Sequence, residues 1–256
     1  SSDLEIPPGV FNVITSSDPR EVGEQLVNDP RVDMVSFTGS TQTGKHIMAA
    51  AAGSVKKVFL ELGGKSANII LDDADLRSSL LSALGVCFHA GQGCAIQTRL
   101  LIPEDKQAEV EELLKTYFGF ISYGDLYADW AIMGPLVNAR QRDRVLAYIE
   151  QGKQEGARLL LGGGQPRDLD KGFYVEPTVF VDVSNDMTIA REEIFGPVLS
   201  VTTFKTVEEA IALANDTAYG LGAGVWTRSG NTAYRLGRAI EAGRGWTNCY
   251  HQYRSE

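Results

Sequence analysis

Along the chain, short apolar runs of strand length alternate with segments whose apolar residues recur at helical spacing. The alternation runs from one end to the other without an internal repeat, a charge block or a low-complexity linker. That rhythm predicts an α/β protein. Val32 to Phe37 reads as a strand, Gly39 to Gly44 as a turn and Gly44 to Ala52 as an alanine-rich helix. Val58 to Leu60 makes the next strand, and Ala67 to Leu71 another after Gly63 and Gly64. Leu76 to His89 then carries helical spacing that stops at Gly91. Arg99 to Ile102 follows as a strand. Pro103 and the acidic residues behind it open a charged helix, and Asn138 to Gln151 forms a second. Gly162 to Gly164 predicts a loop, and Thr178 to Val181 and Val198 to Phe204 buried strands. Thr206 and Glu209 have capping-box spacing ahead of an apolar helix ending near Asn215. Ala223 to Thr227 and Trp246 to Asn248 supply the last strands, with a helix between them.

A length of 256 residues with 43% hydrophobic side chains is enough to bury a sizeable core, in one large domain or two modest ones. The net charge of −9 argues against general attraction to nucleic-acid backbones or anionic membranes, and leaves small molecules as the expected partners. No apolar run has the length of a membrane span, and Ser1 to Pro8 lacks a basic region followed by a hydrophobic one. Three irregularly spaced cysteines, Cys87, Cys94 and Cys249, make no disulfide framework, which favours a reducing cytoplasm. Cys87, His89 and Cys94 lie close in sequence but match no common zinc spacing, so no metal site is expected.

Three segments carry candidate chemistry. In the first, a strand, then Gly39-Ser40-Thr41-Gln42-Thr43-Gly44-Lys45, then a helix, would gather backbone N–H groups at the positive end of a helix dipole, an anion site. The spacing nearly completes a phosphate loop of the nucleoside triphosphatase type. His46 stands where that motif needs a Ser or Thr for Mg²⁺, a hard ion that prefers oxygen. A tight turn with a Ser/Thr helix cap explains the residues about as well as a pyrophosphate site. In the second, Glu61 stands at a strand end ahead of Leu62, Gly63, Gly64 and Lys65, where it could be a base or a solvated carboxylate. Cys94, after Gly91-Gln92-Gly93, sits on a glycine-rich loop with little steric cover, whereas Cys87 lies within an apolar helical run as an inert core thiol. In the third, Glu193-Ile194-Phe195-Gly196-Pro197 reads as a turn with a carboxylate and an exposed aromatic.

Together and in this order, these segments resemble the aldehyde dehydrogenase superfamily, from Pro7-Pro8-Gly9-Val10-Phe11-Asn12 to Asn248-Cys249-Tyr250. Met133-Gly134-Pro135-Leu136 and Tyr219-Gly220-Leu221 add support. The resemblance implies part of a Rossmann-type cofactor domain over residues 1–62 and an α/β catalytic domain over 63–256. It implies NAD or NADP with its phosphates near Gly39, Ser40, Thr41, Gln42, Thr43 and Gly44, Ser40 being a donor. Thr38 and Leu62 would flank the nicotinamide, Gly63 would be among the cofactor-binding residues, Glu193 would bind the nicotinamide ribose, and Phe195 would pack beside the ring. Cys94 would attack an aldehyde to give a thiohemiacetal and then a thioester, which a water activated by Glu61 would hydrolyse to a carboxylic acid. The acyl-transferring branch that uses coenzyme A typically lacks that glutamate.

Members of this family are longer on both sides, so an internal fragment is expected. The oxyanion asparagine and the adenosine-ribose residues would lie upstream, and the Phe-Gly-Gly-Tyr-Lys type segment and the strand of the family's homo-oligomers downstream. Leu126 stands where proline is common, and Gly93 occupies a variable position. The competing expectation is a non-catalytic relative that keeps the fold as a binding or assembly module.

Overall fold

The computed structural model describes residues 6–124, 127–169 and 171–252, so Leu126 and the residues from 253 onward lie outside it. It is α/β, and it divides between Leu62 and Gly63 into two compact units.

In the first unit, helix α1 (Pro19–Asn28) leads to strand β1 (Met34–Thr38), helix α2 (Thr41–Ala52) and strand β2 (Lys57–Glu61), which pairs parallel to β1. The turn expected over Gly39 to Gly44 is shorter than its glycines suggest, because Ser40 already caps the helix by accepting the Thr43 N–H at 3.2 Å. Gly44 therefore falls inside α2. Its missing side chain makes room for Leu62, since a Cβ there would stand 2.6 Å from a Leu62 methyl. Gly39 similarly accommodates the Phe37 ring, at 2.4 Å from where its Cβ would be. Buried Lys56 donates to the Val32 carbonyl at 2.9 Å and to that of Asp29, holding the loop between α1 and β1. Helix α1, absent from the elements expected, is capped by Asp18, which accepts the Arg20 N–H at 3.0 Å, with Pro19 at its first position.

The second unit is built on strand β3 (Ala67–Ile70), helix α3 (Leu76–Leu80), strand β4 (Arg99–Pro103), helices α4 (Gln107–Phe118) and α5 (Ala139–Gln154), strands β5 (Arg158–Leu161) and β6 (Thr178–Val181), helix α6 (Thr188–Arg191), strand β7 (Val198–Phe204), helix α7 (Val207–Asn215), strand β8 (Gly222–Trp226), helix α8 (Gly230–Ala239) and strand β9 (Arg244–Thr247). The sheet order is β5-β6-β7-β4-β3-β8-β9, parallel except for β5. Every residue of β3, β4 and β6 is buried, as expected of strands covered on both faces. One face carries Ile70, Leu100 and Ile102 against Val110, Leu114 and Ile149, and the other carries Ile69 and Leu101 against Ala210, Ala214 and Leu236.

Three expectations need correction here. The helix expected over Leu76 to His89 tightens after Leu80 into a 3₁₀ stretch, Leu81–Gly91, and loses helical geometry at Phe88, His89 and Ala90, where two residues in succession take positive φ. Pro103 closes β4 and caps a 3₁₀ turn, Glu104–Lys106, that runs straight into α4, so the charged helix does start behind Pro103 but its first turn is 3₁₀. In the capping box, Thr206 accepts the Glu209 N–H at 3.1 Å, but the Glu209 carboxylate accepts from Lys205 N–H at 2.7 Å, one residue earlier than the pattern predicts.

Arg99 is the main polar tie of this unit. Its guanidinium, 2% exposed as a residue, donates to the carbonyls of Lys65 at 2.9 Å, Leu213 at 2.8 Å and Ala214 at 2.8 Å, and to Asn185 Oδ1 at 3.3 Å. A cation at the last carbonyls of α7 also meets the negative end of that helix dipole. Arg99→Met should destabilise the unit by about 3 kcal/mol, since several buried carbonyls lose their donor. The comparison is Arg158→Met. Arg158 binds Glu111 and Asp182 at the surface, and this change should cost under about 1 kcal/mol in urea unfolding.

Candidate active site

In the first unit, Thr38 and Glu61 end the two parallel strands, and the Gly39 N–H donates to the Glu61 carbonyl at 3.0 Å. Thr38, Gly39, Ser40, Gln42, Thr43 and Glu61 are exposed, and Thr41 and Leu62 half-buried, around the start of α2. The Ser40 hydroxyl lies 2.9 Å from that of Thr43. Its oxygen is already used as a helix cap, so any donation to a ligand would come from its remaining hydrogen. His46, which spoils the phosphate loop, pairs with Glu24 on α1 at 2.7 Å. These groups stand at the carboxyl ends of their strands, the edge where α/β sheets expose ligand sites.

In the second unit, the candidate residues gather at the opposite edge. Gly63 to Lys65 precede β3, Cys94 lies upstream of β4, and Glu193 to Pro197 precede β7, so three adjacent parallel strands receive them at their amino ends. Backbone contact brings them together. A Cβ on Gly64 would stand 2.4 Å from the Cys94 carbonyl oxygen, and one on Gly91 2.0 Å from that of Gly196. Gly91 also takes φ +74°, open to glycine at little cost. The Gly64 N–H donates to Glu193 Oε1 at 3.0 Å, and a Cβ on Gly63 would strike Glu193 Oε2 at 2.4 Å. The two glycines thus form a seat for that carboxylate, a packing requirement that strand and helix periodicity cannot display.

Phe195 holds φ +60°, a strained value for a bulky residue. Gln141 of α5 fixes it by donating to the Phe195 carbonyl at 2.8 Å and that of Ile194 at 3.1 Å. Gln92 anchors the cysteine loop by accepting the Val137 N–H at 3.0 Å. Neither glutamine stood out in the sequence. The expected scant cover over Cys94 is also modified, for that residue is half-buried.

Electrostatics separates these groups. Burial pushes the Cys87 thiol up to about 12, consistent with an inert core residue. Glu193 is raised mainly by burial, against which the Gly64 N–H, Lys65 and Arg144 act. Burial brings Lys65 down to about 7, with Arg99 adding to the fall and Glu193 and Glu192 opposing it. Neither Gln92, Gln141 nor Lys65 was among the expected site residues.

A model of the aldehyde dehydrogenase family matches residues 2–256. The chain belongs to that family. It is 47% identical over 248 residues to betaine aldehyde dehydrogenase of Rhizobium etli, covering 96% of this chain and 50% of the relative. It is 45% identical to the chloroplastic betaine aldehyde dehydrogenase of Amaranthus hypochondriacus, covering 96% and 49%. A cysteine-to-alanine variant of aldehyde dehydrogenase C from Pseudomonas syringae, in complex with NAD+ and octanal, superposes with a TM-score of 0.94 at 42% identity, over 97% of this chain and 51% of that one. A Mycobacterium tuberculosis aldehyde dehydrogenase complexed with NAD+ gives 0.88 at 43% identity, over 91% and 48%. The chain spans about half the length of the curated relatives it matches. Its α/β architecture is that of the aldehyde dehydrogenases. Among the described residues no helix is long and apolar enough to cross a membrane.

Two measurements test these environments. At pH 8, iodoacetamide should leave Cys87 unlabelled in the folded protein and label it in urea, with peptide mass spectrometry as the readout. Labelling of native Cys87 would contradict its burial. Lys65 has the lower pKa when folded, so between about pH 7 and 10.5 the unfolded chain binds the extra proton and stability rises with pH. Lys65→Met should flatten that rise in the urea midpoint.

Proposed function

We propose that the chain carries the catalytic cysteine and part of the cofactor surface of an NAD- or NADP-dependent aldehyde dehydrogenase that produces a carboxylic acid. The observation that supports this reading is the seating of Glu193 on the Gly63–Gly64 backbone beside the Cys94 loop, because one backbone segment then meets both the Glu193 carboxylate and the main chain of Cys94. In this reading the unit of residues 1–62 belongs to the cofactor domain and that of 63–256 is catalytic.

The residues present fit a dinucleotide. The start of α2 offers backbone N–H groups at a positive helix end to phosphate oxygens, framed by Gly39 to Gly44, and Glu193 offers acceptors to ribose hydroxyls. Thr38 and Leu62 would flank the nicotinamide, Gly63 would belong to the cofactor-binding set, and Phe195, in its strained turn, would pack beside the ring. A bound nicotinamide would supply the hydride acceptor.

Cys94 supplies the nucleophile. As thiolate, its sulfur adds to the aldehyde carbon, the C–S bond forms and the carbonyl π pair moves to oxygen. Loss of hydride from that thiohemiacetal leaves a thioester on Cys94. Glu61 then takes a proton from water as the water attacks the thioester carbonyl; the C–S bond breaks, and the acid and the thiolate are released. The related proteins complexed with NAD+, and with NAD+ and octanal, support the cofactor and substrate classes. The homo-oligomers expected of full-length members remain part of the proposal for the whole protein.

Mixing the chain with an aldehyde and NAD+ or NADP+ and following reduced-cofactor absorbance tests the reading. Turnover should fall by at least about 10³ in Cys94→Ser and by about 10²–10⁴ in Glu61→Gln. A folded chain without turnover would favour a non-catalytic binding or assembly module.

A further inference from the structure

Lys65 is 2% exposed, and its Nζ has no hydrogen-bond partner among the described residues. It lines a narrow, partly open recess with Ser66, Arg99, Thr217, Tyr219 and Glu241, and the free space there, about 10 Å³, is on the order of one water molecule. An amine buried this deeply either gives up its proton or, while protonated, is balanced by acidic groups of the protein. The nearby opposite charges acting on it are Glu193 and Glu192.

Those two carboxylates are held differently. Glu192 accepts from the Tyr148 hydroxyl at 2.6 Å, and Arg144 donates to Tyr148 at 3.2 Å and to the Glu193 carbonyl at 3.0 Å. The Glu193 carboxylate has the Gly64 N–H, one residue from Lys65. We propose that Lys65 is a positioning residue whose buried positive charge keeps the Glu193 carboxylate seated as an anion on the Gly63–Gly64 backbone. The consequence for cofactor ribose binding rests on the reading of Glu193 given above; the effect on Glu193 itself does not.

Charged and titratable groups reach this carboxylate from each neighbouring element. They are Lys65 on the glycine segment, Arg144 on α5 and Tyr219 on the segment before β8; Tyr148 on α5 bonds the neighbouring Glu192 instead, and Arg99 acts on Lys65. Burial favours the protonated carboxyl, and the cations oppose it. Losing the Lys65 charge should therefore move Glu193 protonation to higher pH.

The test is carboxyl-carbon NMR of the full chain labelled at glutamate, with Glu193→Gln to assign the resonance. The Glu193 midpoint should rise by about one pH unit or more in Lys65→Met and Lys65→Gln, and return toward wild type in Lys65→Arg. An unchanged midpoint in folded Lys65→Met or Lys65→Gln would overturn the proposal. So would failure of both neutral variants to fold while Lys65→Arg folds with the wild-type midpoint, since Lys65 would then be structural. In parallel, the dissociation constant for NAD+ should weaken about tenfold in Lys65→Met at pH 6 and approach wild type by pH 8.5, with no further loss in the double variant with Glu193→Gln. Unaltered NAD+ affinity in Glu193→Gln, alongside a shifted midpoint in Lys65→Met, would leave the Lys65 inference standing and remove the ribose role.

Discussion

The buried Arg99 guanidinium is the constraint on which the second unit depends. At the start of β4 it reaches the Lys65 carbonyl ahead of β3 and the last carbonyls of α7, and touches Asn185 between β6 and α6. Desolvating an arginine is costly, and here three carbonyl oxygens and an amide compensate for it. One of those carbonyls belongs to the segment that seats Glu193. The bond that closes the core therefore also fixes the backbone at the candidate site.

Within each unit taken by itself, the candidate residues keep to one end of the parallel strands. In the first unit the candidate residues follow their strands, and in the second they precede them. Glycine makes the second arrangement practicable. Gly64 and Gly91 let the 63–65, 91–94 and 193–197 segments approach by backbone contact, leaving side chains such as Gln92 and Gln141 to lock the loops. The strained φ of Phe195 is held by this packing, with Gln141 bonded to its carbonyl.

Much of the fold was legible from hydrophobic patterning, because β3, β4, β6 and β7 are mainly apolar, broken by few polar residues such as Asn68, Arg99 and Ser200, and Asn138, Ser40 and Thr206 are effective caps. The errors occurred where local rules conflict with tertiary packing. Leu76 to Gly91 has helical apolar spacing but tightens and breaks to deliver the cysteine loop. Strand β5 is a half-buried antiparallel edge with only four residues, too brief to give a period. At the candidate site, residues with conspicuous chemistry, Cys94, Glu61 and Glu193, could be named from their motifs. Lys65 could not be singled out, since a lysine in a glycine-rich segment ordinarily faces solvent, and only the three-dimensional packing shows it buried.

The central claim is that Cys94 forms the covalent intermediate. Its most direct test is acid-quenched peptide mass spectrometry of the Glu61→Gln chain after mixing with octanal and NAD+, conditions in which an acyl thioester should accumulate. The account predicts the octanoyl mass on the peptide bearing Cys94 and on no other cysteine. An adduct on Cys249 or Cys87, or a folded, cofactor-bound chain that acquires none, would contradict it.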